Sequence, residues 1–174
     1  LPSNSVRNCV QDRDGFIWIA TESGLCRFDG DEFKSVFHDP NDSSSIPSDY
    51  INYVAMAEDG HLLVSTMNGF YIMNTRTLKG RTIKLLKRKG WEKLENNFGN
   101  IYVHKALKQI IVYNGTSIHY FDDKFHLLQT VEYPFPATSR QLHFLVGRMC
   151  YLPDGDLIFW SGVTQQFEYL DYQT

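Results

Sequence analysis

The chain has 174 residues, enough to bury a sizeable core without help from disulfides or metal. Its formal net charge of -3 and pI near 6.1 exclude a phosphate-binding face of the kind nucleic acids require, so no nucleic acid is expected through this chain. Ten Tyr and twelve Phe favour strands, no apolar run is long enough for a membrane span, and Leu1-Pro2-Ser3-Asn4 does not read as a signal peptide. Any targeting segment or membrane anchor is therefore expected outside this chain.

The first forty residues read as four short strands, over 5–11, 16–21, 25–28 and 32–37. Asp14-Gly15 predicts a two-residue type I′ hairpin turn, in which both central residues take positive φ. Ser23-Gly24 and Asp29-Gly30 divide the remaining strands in the same way. Residues 38–49, with two prolines and a polar cluster, read as a join rather than regular structure.

The pattern then returns. Asp14-Gly15-Phe16-Ile17-Trp18-Ile19-Ala20-Thr21 is followed 45 positions later by Asp59-Gly60-His61-Leu62-Leu63-Val64-Ser65-Thr66, and Asn68-Gly69 answers Ser23-Gly24. A third copy over 108–118 has lost the Asp-Gly pair and, on this alignment, one residue of the second turn; a fourth restores the pair as Asp154-Gly155. Four short strands every 45 to 47 residues make a β-propeller blade, a twisted sheet that buries both faces against its neighbours. Burial on both faces explains why Ile17-Trp18-Ile19 does not alternate with polar residues. The expected fold is all-β: about four four-stranded antiparallel blades, approximately 4–37, 50–84, 100–132 and 142–172, forming part of a larger propeller. Four such blades seldom close a ring, so the open side of the fourth blade and the first strand should expose apolar surface.

Candidate chemistry is sparse. His38, His61, His104, His119, His126 and His143 lack metal-ligand spacing, no cofactor is indicated, and Asp12, Asp14, Asp29 and Asp31 stand where turns favour Asp. Ser43 to Ser45 lack a nucleophile-elbow context and read as loop. Cys9, Cys26 and Cys150 read as small core residues; the first two fall on strands too far apart to bridge. The basic run from Lys79 to Lys89 reads as a solvated loop. Trp18 reads as a residue packed between blades. The candidate ligand contacts are Trp91, in a polar join where an indole could stack on a sugar, and with it Arg148, Trp160 and Tyr133. They are expected at the end of the blades where the joins and the second turns emerge together.

Asp12, Gly15, Trp18, Ile19 and Thr21, then Gly24, Leu25, Arg27, Phe28, Asp29 and Gly30, resemble the two-component regulator propeller repeat. The join Asp39-Pro40-Asn41-Asp42-Ser43-Ser44-Ser45 looks like that of hybrid two-component sensors from polysaccharide-degrading gut bacteria. Blade two keeps the pattern at Asp59, Gly60, Thr66 and Gly69, whereas Leu63, Val112 and Ile158 stand for Trp18 in the later copies. The resemblance implies the N-terminal periplasmic region of a sensor kinase that detects an oligosaccharide. Beyond this chain it implies further blades and sensor domains, a membrane helix, a histidine kinase and a homodimeric assembly. This segment itself would then be no enzyme. A propeller lyase or hydrolase acting on polysaccharide, and a protein-interaction propeller, are the alternatives.

Overall fold

The computed structural model describes residues 1–83, 85, 99–114, 117–132, 146–152, 156–161 and 166–170. They form fifteen strands in four antiparallel sheets, each in simple meander order. The first sheet comprises β1 (Val6–Gln11), β2 (Ile17–Thr21), β3 (Gly24–Phe28) and β4 (Phe33–Val36). The second comprises β5 (Ile51–Met56), β6 (His61–Thr66), β7 (Gly69–Asn74) and β8 (Gly80–Ile83). The third comprises β9 (Ile101–His104), β10 (Gln109–Tyr113), β11 (Ser117–Asp122) and β12 (Leu127–Glu132). In the fourth, the described strands are β13 (Val146–Tyr151), β14 (Leu157–Ser161) and β15 (Gln166–Leu170). The first strands of neighbouring sheets lie beside one another, β1 against β5 and β5 against β9, as blades radiating from an axis require.

Each blade packs through two faces, here called leading and trailing. Trp18, Ala20 and Leu25 on the trailing face of blade one meet Leu62, Val64, Tyr71 and Met73 on the leading face of blade two. The residues between them, Leu63, Phe70 and Ile72, point the other way and meet Ile110, Val112 and Phe121 of blade three. The unbroken apolar run of β6 therefore serves two cores at once, at about 25 cal/mol per Å² of apolar surface buried. Asn8 ties the innermost strands together: its amide donates to Val54 O and accepts from Val54 N, both at 2.9 Å.

Three expectations need correction. Gly15 has φ 90° but Asp14 is not at positive φ, and the Asp12 amide donates to Phe16 O at 2.9 Å while Gly15 N donates to Asp12 O. The loop therefore has three residues, a turn followed by a left-handed glycine, and is not type I′. The turn through Gly60 is the same, with Ala57 in Asp12's place. Asp154 and Gly155 lie outside the described residues.

The third copy also has a different register. Lys108 takes the left-handed role (φ 51°), Ile110 pairs with Val103, and Asn114 N donates to Ser117 O. The length change therefore falls in the first turn, and Ile111 rather than Val112 occupies Trp18's place. Val112 packs the opposite way, against blade two. Finally, Cys26 is buried but Cys9 is exposed; both are free, two strands apart across Ile19.

Candidate functional site

Residues 38–49 are ordered by what they touch. Ile46 is buried in the core between blades one and two. Ser44 O accepts from Tyr71 Oη at 2.5 Å and from Gly80 N at 3.0 Å. Lys79 pairs with Asp42 and, with Ser44, holds that carboxyl down to about 2; burial, with Asp42 nearby, pushes the Tyr71 phenol up to about 12. Asn68, in the turn between β6 and β7, donates to Pro47 O at 3.2 Å. The join and the second turn thus meet at one end of the blades.

That end carries a polar cluster the sequence did not single out. Arg7 Nη2 lies 2.6 Å from Glu22 Oε1, donates to Tyr50 Oη and sits 5.3 Å from the Tyr50 ring centre, while Tyr50 Oη donates to Glu22 at 3.3 Å. Arg7 projects from a register shift between Val6 and Asn8, and β5 repeats that shift between Ile51 and Tyr53, with Asn52 45 residues after Arg7. Bulges re-aim side chains, and the one in β1 turns Arg7 out of the innermost strand of blade one. The cluster offers guanidinium donors, a carboxylate acceptor, a hydroxyl and an aromatic face, all partly exposed. Its ends are 43 residues apart, so the only sequence signal is the shared spacing of Arg7 and Asn52.

Of the four candidate contacts, Trp91 and Tyr133 lie outside the described residues. Arg148 falls within the register shift of β13, between Val146 and Met149, and Trp160 stands opposite Phe167 in β14. Arg148 therefore occupies the irregular stretch of an innermost strand, as Arg7 does.

The opposite end holds an open cleft of about 320 Å³ lined by the first turns of blades one and two and by Asn74, Thr75 and Arg76. Its charges are satisfied locally: Arg76 Nε is 3.8 Å from Asp14, His61 Nδ1 is 2.9 Å from Asp59, and Arg13 donates to Glu58 O. Among the described residues no group of three or more His, Cys, Asp or Glu could hold a metal.

The meandering sheets, their radial packing and the doubly buried second strands define a β-propeller. Residues 1–23 match the family model described as two component regulator propeller, so the first blade carries that repeat. The fold is shared with the extracellular domain of a protein described as a hybrid two component system from B. thetaiotaomicron, at 20% identity and TM-score 0.72 over 100% of this chain and 25% of that one. A second such extracellular domain from the same organism gives 14% identity and TM-score 0.74, over 99% of this chain and 23% of that one. Virginiamycin B lyase from Staphylococcus aureus gives 14% identity and TM-score 0.67, over 100% of this chain and 58% of the lyase. At these identities the structures establish the fold alone. A curated relative, Histidine kinase P4 of Formosa agariphila, is 44% identical over 46 residues, which are 26% of this chain and 3% of the relative. The chain thus spans a small part of that protein and about a quarter of those two extracellular domains.

Proposed function

We propose that this chain is a non-enzymatic, ligand-sensing segment of a hybrid two-component sensor, exposed outside the cytoplasm in the periplasm, and that its ligand is an oligosaccharide. The observation that carries the reading is the two component regulator propeller match over residues 1–23, which includes β1, the strand that presents Arg7. Sensor domains of the same fold support an extracytoplasmic place. The Arg7, Glu22 and Tyr50 cluster suits a saccharide, because hydroxyls need both donors and acceptors and sugar rings stack on aromatic faces.

An exposed ion pair of this kind contributes about 0–1 kcal/mol to stability, so Arg7→Ala leaves the fold standing and its effect on binding can be measured. In a glycan array followed by calorimetry on the chain, Arg7→Ala and Tyr50→Ala should each weaken saccharide binding about tenfold or more, one tenfold step being 1.4 kcal/mol. Absence of binding to any glycan, or binding indifferent to both substitutions, would overturn the reading. Turnover of a polysaccharide by the same preparation would replace it with an enzymatic one.

A further inference from the structure

The two ends of the run present faces that the interior of the run shows to be complementary. On the leading face of blade one stand Ile17, Ile19, Cys26 and Phe28, with Phe33 stacked on Phe28 at 4.6 Å. Their counterparts 45 residues later, Leu62, Val64, Tyr71 and Met73, are wholly buried beneath blade one. Ile17, Ile19 and Phe28 are only half-buried, and Phe33 is 49% exposed. At the other end, the register of β14 and β15 puts Ile158 and Tyr169 at trailing-face positions. Tyr169 is 58% exposed, whereas Tyr120, at the same place in blade three, is 3% exposed.

We propose that these two faces are docking surfaces for each other, and that a second copy of the chain occupies them, leading face on trailing face, when no further blade is supplied in cis. What covers such a face is stated by the repeat itself: between blades one and two, and again between two and three, an apolar leading face is covered by an apolar trailing face. The contact continues that interface across two chains. It is heterologous, so copies add head to tail until the ring closes or a short filament forms. The inference rests on the fold and is independent of any ligand.

Sedimentation velocity on the full chain tests it. Wild type should show a mass rising with concentration above the 20.2 kDa monomer. Ile19→Lys, or the milder Phe33→Lys if the first fails to fold, removes the leading face; Tyr169→Lys removes the trailing face. Each variant alone should stay monomeric at concentrations where wild type associates. Mixed, a leading-face and a trailing-face variant still share one intact interface and should form a 1:1 dimer. Wild type that remains monomeric from micromolar to hundreds of micromolar overturns the proposal. So does a mixture that stays monomeric, or a single-face variant that associates as wild type does.

Discussion

Trp18 Nε1 donates to Asp12 Oδ2 at 2.7 Å, and this bond joins the first hairpin turn to the core between blades one and two. The other carboxylate oxygen of Asp12 accepts from Asp14 N and Phe16 N, each at 3.0 Å. One buried side chain thus shapes the turn and satisfies the indole. Blade two has Ala57 and Leu63 at these two positions, and blade three has His104 and Ile111, so the pair changes together.

Trp18→Phe keeps most of the packing but leaves a buried carboxylate oxygen without its donor, and should cost about 1–3 kcal/mol in urea denaturation. Asp12→Ala should cost at least as much, since it also strips the turn. The double change Asp12→Ala with Trp18→Leu reproduces the pair of blade two. Its cost should fall short of the summed costs of Asp12→Ala and Trp18→Leu, each measured alone, by about 1 kcal/mol or more, as expected for residues in direct contact. Strict additivity would show the bond to be energetically idle.

Gly15 precedes β2 and Gly80 opens β8, and the two should respond differently to alanine. Gly15 has φ 90° with nothing within 4 Å of an added Cβ, so Gly15→Ala meets only backbone strain, about 1–2 kcal/mol. A Cβ on Gly80 would stand 2.0 Å from Ile72 O and 2.8 Å from the Tyr71 ring. The strand would have to move, and with it the bond from Gly80 N to Ser44 O that anchors the join. Gly80→Ala should therefore lower the thermal midpoint more than Gly15→Ala does, and expose residues 38–49 to proteolysis.

Asn8 acts as a surrogate peptide group between blades, matching both the N–H and the C=O of Val54. Asn8→Asp is nearly isosteric but loses the donor and sets a carboxylate against a carbonyl oxygen. It should destabilise by about 1–3 kcal/mol, measured by urea denaturation. A neutral result would mean that water replaces the clamp at no cost.

The strands of blade one were legible to within about a residue, because Gly15 and Gly24 adopt positive φ and leave little freedom in where β2 and β3 can start. The third copy was misregistered because Lys108 takes a glycine's conformation without being one. Cys9 was misplaced because it pairs with Ile19 on the leading face of blade one, which no described residue covers at that point. The candidate site was less legible than the fold. Turn chemistry is local, whereas the contact of Arg7 with Tyr50 forms only after two blades have packed.

His119 supplies the pH dependence. It is buried in β11, and its place in the network sets its tautomer: Ser117 N donates to Asn114 Oδ1, which turns the Asn114 amide nitrogen to His119 Nε2 at 2.9 Å. Nε2 is therefore the acceptor, and Nδ1–H donates to Thr130 Oγ1 at 3.0 Å. A second proton would set one N–H against another in a buried site, and burial holds the ring down to about 4 against an ordinary 6.5. A folded pKa below the unfolded one means that the unfolded chain takes up the extra proton first. Stability should accordingly fall as pH drops below about 6.5 and go on falling until about 4, by up to about 3 kcal/mol at 1.36 kcal/mol per unit. Asp42, held down by Lys79, loses its contribution only below the ordinary carboxylate range, so the two windows separate. In His119→Gln the side-chain amide can still reach Asn114 and Thr130 but does not titrate. Its unfolding free energy should be flat between pH 6.5 and 4, apart from what carboxylates contribute near the lower limit. A slope as steep as that of wild type would place the titrating group elsewhere.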